Sequence, residues 1–504
     1  MRDFEKDEKL MKTAKNIFFS IALSALLLTS AYAQTFTWAK SMGGTSGDRG
    51  YSIATDASGN VYTTGYFAGT ADFDPGAGTF NLTSAGYNDI FISKLDAFGN
   101  FVYAKSMGGT SNDEGISIAL DASGNVYTTG DFGGTVDFDP GLGIFNLTSA
   151  GSPDIFISKL DASGNFLWAK AMGGTDLDRG FSLSFDASGN VYTTGDFGGT
   201  ADFDPGAGTF NLTSAGYEDI FISKLDISGN FVWAKSMGGT DYDVGYSIAL
   251  DASSNVYTTG YFQGTADFDP GTGTFNLTST GSEDIFISKL DASGNFVYTK
   301  SMGGTGTDHG HSIAIDASGN VYTTGYFYDI ADFDPGTGTF NLTSVGYDDI
   351  FISKLDASGN FVYAKSMGGT SNDYGYSIAL DASGNVYTTG VFYGTADFDP
   401  GAGTFNLTSA GTYDIFVHKM SQTTVFSENE LLKAIKVYPN PAQEYINLKT
   451  NSNEFTIEIL NIVGQVLIRE KSKKVIDIQT LSAGTYFVKV KTGEIEYQQK
   501  IIVY

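Results

Sequence analysis

The chain contains no cysteine. A disulfide framework and thiolate metal sites are therefore excluded, although the compartment is left open. Histidine occurs three times, at His309, His311 and His418, and no Ser–His–Asp set can be assembled from so few. Proline is scarce, 9 residues against 64 glycines, and the glycines follow no collagen-like period. Basic residues are also few: 29 Lys and Arg stand against 57 Asp and Glu, a net charge of −28. Such a surface repels a phosphate backbone, which argues against nucleic acid as a partner. Cations, cationic partners and neutral sugars remain open.

What is present is apolar, aromatic and repetitive. Hydrophobic residues make up 41% of the 504 positions, as in a globular chain. Tyr, Phe, Val, Ile and Thr dominate the apolar stretches and favour strands. The one apolar run, Ile17 to Ala31, is short for a membrane span. A basic start at Met11-Lys-Thr-Ala-Lys-Asn precedes it, and the small-residue pattern Ala31-Tyr32-Ala33 follows, so residues 1–33 read as a secretory signal peptide. The acidic Met1–Leu10 points to Met11 as the start. An uncleaved signal anchor is the alternative, disfavoured by the A-x-A site. No transmembrane segment is expected after cleavage.

"MGGT" begins at Met42, Met107, Met172, Met237, Met302 and Met367, a spacing of 65 residues every time. A fixed period is the signature of a propeller, solenoid or array. In the first unit Ser52–Thr55 is strand a, "DASGN" a turn, Val61–Phe67 strand b, Ile90–Leu95 strand c, and Phe101–Met107 strand d. Strand c alternates, with Phe91, Ser93 and Leu95 on one side and Ile90, Ile92 and Lys94 on the other. One further d strand, Phe36–Met42, precedes every a, and the last c, Asp414–Met420, has no d after it. Pairing these two closes a ring. The expectation is an all-β, six-bladed β-propeller over residues 34–420, with four-stranded blades and the N-terminal strand closing the last blade. An open β-solenoid is the alternative, and it leaves the displaced d strand unexplained. "DASGNVYTTG", "DIFISKLDASGN" and "WAKSMGGT" resemble the bacterial SBBP repeat, which implies a secreted propeller but no single activity.

Composition shifts after Met420, giving a linker at 421–434 and a final domain at 435–504. Short strands at Ile446–Leu448, Phe455–Leu460, Gln465–Arg469, Tyr486–Val490 and Tyr497–Val503 read as a small Ig-like β-sandwich. "VYPNPAQEYINL", "ILNIVGQVL" and "LSAGTYFVKV" resemble the type A C-terminal sorting domain of the type IX secretion system. On that resemblance Tyr438, Pro439, Asn440, Pro441, Gly464, Gly484 and Tyr486 carry the motif. It implies the type IX machinery as a partner and passage through the periplasm to the outer-membrane surface or beyond. An Ig-like domain with a ligand of its own is the alternative.

Two acidic features recur. In "GGTxxDxG", Asp48, Asp113, Asp178, Asp243, Asp308 and Asp373 would ring one mouth of a channel and form a candidate Ca²⁺ site. The competing reading is a loop carboxylate that accepts backbone N–H groups once per blade. In "ADFDPGxGTFNLT", Asp72 and Asp74 flank Phe73, which Phe80 and Leu82 would cover in an extra hairpin. Its carboxylates read as a solvated acidic edge, with calcium as the alternative. His309 and His311 form an H-x-H pair in one blade, without a clear third ligand.

The copies diverge in the d–a and b–c loops. Tyr51, Phe181, Tyr246, His311 and Tyr376 occupy one position, with Ile116 in the remaining copy; Tyr66, Tyr261 and Tyr326 share another with Asp131, Asp196 and Val391; Tyr328 and Tyr393 stand at a third. Tyrosine beside aspartate suits neutral sugars and amphipathic protein patches. The expectation is a monomeric, non-catalytic adhesion or binding module for a glycan or protein on this face. The alternatives are an extracellular polysaccharide hydrolase or lyase, and a purely structural surface-layer component.

Overall fold

In the phrase LDASGNVYTTG at Leu120–Gly130 nearly every polar residue has a partner. Asp121 Oδ1 accepts the backbone N–H groups of Ser123 and Asn125 at 2.9 and 3.0 Å, and Oδ2 accepts the Asn125 side chain at 2.7 Å. Gly124 supplies φ 78 and donates its N–H to the Asp121 carbonyl. Tyr127 then reaches back to Asp121 with its hydroxyl at 3.3 Å. Lys159, from strand c, lies 4.7 Å from the Tyr127 ring centroid and 3.7 Å from the Asp121 carboxylate. The phrase is thus one turn and its clamp, repeated because each unit needs the same turn.

The computed structural model describes residues 37–421, 435–450, 455–462, 464–492 and 495–504. The signal peptide and most of the linker lie outside these residues. The chain is all-β, and its first unit is a propeller of six blades. Blade 3 is typical: Asp178–Phe185, Val191–Asp202, Asn211–Leu225 and Phe231–Gly239 pair in antiparallel order. The end of each d strand then bridges to strand b of the next blade, as Gly238 does to Asp267. In blades 1, 3, 4 and 5 strands b and c run longer than the sequence reading gave, because the small "ADFDPG" hairpin continues them: Thr70 pairs with Thr83 and Asp72 with Asn81. In blades 2 and 6 the hairpin is a separate pair of short strands. Leu82 packs with Phe73 as expected, but Phe80 turns to Phe101, 4.8 Å away, and Phe67 and Phe91 cover Phe73 instead.

The core lies between blades. Tyr62, Ile90 and Ile92 of blade 1 share one cluster with Ile118, Phe132 and Phe156 of blade 2. Strand c is therefore buried on both faces; in blade 2 all of Asp154–Leu160 is buried. The alternation read from the sequence separates two neighbours, not core from solvent. A sheet covered on both sides carries apolar residues at successive positions.

The expected closing pair is not formed. Among the described residues Asp414–Met420 pairs on one side only, with Val386–Phe392. Ile415 and Val417 are 78% and 76% exposed, where Ile155 and Ile157 are fully buried. On the opposite side of the seam Ile53 is 66% exposed, against 5% for Ile118. The leading segment is held by blade 1 instead: Gly43 and Gly44 bridge to Asp72 and Ala71, and the Trp38 indole donates to the Ala97 carbonyl at 3.1 Å. Trp38 packs over Gly99 as Trp168 packs over Gly229. The segment thus takes the seat that a d strand takes against the following blade, while its other edge stays off blade 6.

The second unit has two sheets. Lys436–Tyr438, Tyr445–Lys449 and Val475–Asp477 form one, and Val466–Lys471, Thr456–Leu460, Gly484–Thr492 and Ile495–Val503 the other. Ile446, Ile459, Ile478, Val488 and Ile501 centre its core. All five expected strands are present; Lys436–Tyr438 and Val475–Asp477 are additional. Asn440 of the motif bonds the last strand twice, to the Lys500 carbonyl at 2.9 Å and from the Ile502 N–H at 3.0 Å. Gly464 takes φ 82 in a turn, and the Tyr486 hydroxyl caps the Ser482 carbonyl at 2.8 Å.

Two stability predictions follow from these contacts. Ile118→Ala is expected to cost about 2–4 kcal/mol and Ile53→Ala well under 1, as read by chemical denaturation; an equal cost at both sites would mean that the seam is closed in solution. Ser254 stands where other turns have glycine, at φ 60. Ser254→Gly is expected to stabilise by about 1 kcal/mol, seen as a higher melting temperature.

Candidate functional site

The six carboxylates read as a candidate calcium ring are committed to the backbone. Asp113 Oδ2 accepts the Gly109 N–H at 2.8 Å and Oδ1 accepts the Gly133 N–H at 3.0 Å, and the other five repeat the pattern. Asp113, Asp178, Asp243, Asp308 and Asp373 are fully buried; Asp48, at the seam, is half-buried. They tie the d–a loop to the end of strand b beneath the surface and do not open on a channel. Among the described residues no group of three or more His, Asp or Glu stands where it could hold a metal ion. The Asp72–Asp74 pair also serves its turn: Asp72 Oδ1 accepts from Asp74 and Phe80, and Asp74 Oδ1 from Gly76.

Each buried carboxylate has a neighbour that the sequence reading passed over, the aspartate opening "DIFISKL". Asp219 is 3% exposed; its Oδ2 accepts the Ala215 N–H at 3.0 Å and its Oδ1 has no partner. The missing side chain of Gly238 makes room for it, since a Cβ there would stand 2.5 Å from the carboxyl carbon. Burial, reinforced by Asp219, pushes Asp243 up to about 8, and burial alone lifts Asp219 to about 7. Asp154 and Asp284 rise to about 6 and Asp178 and Asp308 to about 7 for the same reason.

These staples fix the loop backbone, and the residues just beyond them converge on the axis. The position after each repeated aspartate holds Arg49, Glu114, Arg179, Val244, His309 and Tyr374. Strand a is paired to strand b so that Arg179 faces Asp196 and His309 faces Tyr326. On blades 2 and 3 the result is charged. Arg179 clamps Asp196 with Nε at 3.0 Å and a second N–H on the other oxygen, and its guanidinium lies 5.2 Å from the Phe181 ring centroid. Asp196 is fully buried; burial raises its pKa and Arg179 opposes the rise. Burial and Glu114 push Asp131 up to about 7. Burial and Asp196 raise Glu218, whose Oε2 is buried without a partner.

From Phe181 of blade 3 through blades 4 to 6 the site is aromatic. Phe181, Tyr246, His311 and Tyr376 form a continuous arc with ring centroids 5.4, 4.6 and 5.4 Å apart. His309 stacks on Tyr261 at 4.1 Å, its Nε2 is 2.8 Å from Glu283, and its Nδ1 is 2.7 Å from the Tyr326 hydroxyl. Burial, with His309 alongside, pulls His311 down to about 3, so it presents a neutral ring. Both histidines lie in the strand Asp308–Ile315 and stack on neighbouring tyrosines, and His309 also makes hydrogen bonds. Tyr51 and Tyr66 pair at 5.8 Å, and Tyr51 bonds Glu114; Ile116 separates them from the arc. Tyr328 stacks on Tyr347 and Tyr393 lies beside Tyr413, both further out. Arg179, Glu283 and Tyr374 are residues of this candidate site that were not singled out from sequence, and His309 was read there only as half of an H-x-H pair. For Arg179, His309 and Tyr374 the signal was the variable column directly after the repeated aspartate, and for Glu283 the variable column just before "DIFISKL".

The buried acids predict a pH dependence. A carboxyl whose folded pKa is raised holds its proton more tightly in the folded chain. Its stabilising contribution is present in acid and is lost as pH rises from about 4 to about 8. The melting temperature should therefore fall between pH 5 and pH 8. Asp219→Asn should flatten that fall, and an unchanged slope would assign the dependence elsewhere.

Residues 436–504 match the family described as secretion system C-terminal sorting domain. The C-terminal unit is therefore a type IX sorting domain, and the chain is delivered to the cell surface or outside. Among the described residues no helix is long and apolar enough to cross a membrane. The chain is 24% identical over 505 residues to an uncharacterized WD repeat-containing protein, L264, of Acanthamoeba polyphaga mimivirus, covering 83% of this chain and 35% of that protein. It is 29% identical over 179 residues to the regulatory protein FlaEY of Caulobacter vibrioides, covering 34% of this chain and 18% of that one. The chain thus spans about a third or less of these relatives. Among solved structures, Sqt1 from Chaetomium thermophilum aligns with TM-score 0.32 and 12% identity over 80% of this chain and 94% of its own. A Bacteroides caccae protein of unknown function aligns with TM-score 0.29 and 10% identity over 64% and 82%.

Proposed function

We propose that the secreted propeller is a non-catalytic binding or adhesion module that docks a glycan or protein on the face carrying the d–a and b–c loops. The observation that supports this reading is the arc Phe181–Tyr246–His311–Tyr376 around the axis. Aromatic rings with hydroxyl groups at their edges give flat contact area and hydrogen bonds at low entropic cost. The SBBP-like phrases are consistent with a secreted scaffold, and in such a scaffold function belongs to the loops. On this reading the chain acts as a monomer.

A glycan array probed with the purified full chain should give saturable binding. Tyr246→Ala is expected to weaken it about tenfold or more, and adding calcium should leave it unchanged, because the six loop carboxylates already bond backbone N–H groups. The absence of any saturable ligand on glycan and protein arrays would favour a purely structural surface-layer role.

A second reading, a polysaccharide hydrolase or lyase, draws support from Asp131, raised to about 7, and from the Glu283–His309–Tyr326 chain of hydrogen bonds. Release of new reducing or unsaturated ends from a polysaccharide, abolished by Asp131→Asn or His309→Gln, would replace the binding reading with this one.

A further inference from the structure

The axial arc does not end at the axis. From His311 the rings continue across blade 6 to Tyr376 at 5.4 Å, Tyr374 at 6.0 Å, Tyr393 at 6.4 Å and Tyr413 at 5.2 Å. Tyr376 and Tyr413 are 47% and 55% exposed, and Tyr374 and Tyr393 are half-buried between them. Blade 6 is also where the column after the repeated aspartate turns to tyrosine, Tyr374, and the position just before strand c turns to Tyr413. No other blade gathers four tyrosines at these positions.

The chemistry along this path is narrow. Every ring from Tyr376 to Tyr413 carries a hydroxyl. Tyr374 bonds Asp348, a carboxylate whose pKa burial raises, and so anchors one flank. Arg49 stands beyond the outer end, near enough to sense Tyr413. The chain as a whole carries −28. A negatively charged polymer meets net repulsion here, while an uncharged polymer meets flat faces for its rings and hydroxyls for its own hydroxyls.

We infer that this tyrosine path is an extended subsite for a linear, uncharged pyranose polysaccharide, which runs from the axial arc to the rim of blade 6. The inference rests on the binding reading above, with the axial arc as the primary contact. It adds a dependence on chain length that the arc alone would not give. Two further stacking rings at the rim make a hexamer bind about tenfold tighter than a dimer.

The test is calorimetric titration of the full chain with neutral glucan oligosaccharides from dimer to hexamer, with polygalacturonate and a lysine-rich peptide as charged probes. The expected result is affinity rising about tenfold with length and weak binding of both charged probes. The double variant Tyr393→Ala, Tyr413→Ala should lose the length dependence and keep the dimer affinity. Tyr413→Phe reports whether the hydroxyl or the ring is needed, and an unchanged melting temperature shows that each variant is folded. Binding that is equal at all lengths would overturn the extended subsite and leave the axial site standing. Tighter binding of the peptide or of polygalacturonate would overturn it in favour of a charged partner. Loss of all glucan binding would remove the subsite and, if the arrays are also silent, the binding reading with it.

Discussion

The structure depends on one constraint: a blade cannot cover itself. Its four strands form a sheet with two apolar faces, and each face is buried only against a neighbouring blade. Strand c shows the consequence, with consecutive residues such as Ile155, Phe156 and Ile157 all fully buried. Strand a shows it in reverse, since the same isoleucine position is buried in blade 2 and exposed at Ile53. When every interface must fit the next, an insertion in one blade would strain two interfaces. A constant repeat length follows from that geometry.

Within this rigid repeat, variation is possible only where backbone geometry is secured independently of the varying side chains. The paired aspartates provide that security. Asp113 and its equivalents hold two backbone N–H groups each, and Asp89 and its equivalents hold another from the loop before strand c. The d–a loops are therefore pinned in the same way in each blade while the strand-a residue beside them changes from Arg179 to His309 to Tyr374. A mutation at such a position would alter the proposed ligand face without unfolding the loop beneath it. The arrangement requires burying carboxyl groups, and their raised proton affinity is the physical trace of that requirement.

Much of the fold was legible in the sequence because periodicity is a global signal: the MGGT spacing and the displaced d segment determine blade number and strand order without any contact being known. The sorting domain was legible for a different reason, three motif blocks in order. The state of the seam was not legible. Sequence reads Phe36–Met42 as a copy of a d strand and assigns it to the edge of the last blade, but nothing in the repeat pattern weighs that edge against blade 1. The Trp38 indole and the Gly43–Gly44 bridge hold it to blade 1. The axial site was half legible. Its tyrosines stood out as variable loop aromatics. The Arg179–Asp196 clamp did not, because it joins residues brought opposite each other by strand pairing. The Asp89 set was read past because an aspartate at a strand edge ordinarily faces water, and only packing reveals that Gly108 leaves space for it indoors.

The distribution of residues around the axis has a mechanical meaning. Six identical blades would present six equal sites, and a ligand could settle in any of six orientations. Here blades 2 and 3 gather Glu114, Asp131, Arg179, Asp196 and Glu218, while the aromatic arc starts at Phe181 on blade 3 and runs with His309 through blades 4 to 6. Breaking the symmetry in sectors, rather than at single scattered positions, gives the face a charged side and an aromatic side. On the proposed binding function, a bound molecule would have one favourable orientation, set by which of its edges can stack and which can accept or donate hydrogen bonds. The repeat supplies the rigidity that makes such an orientation worth specifying, and the six copies of each loop supply the separate positions at which it is specified.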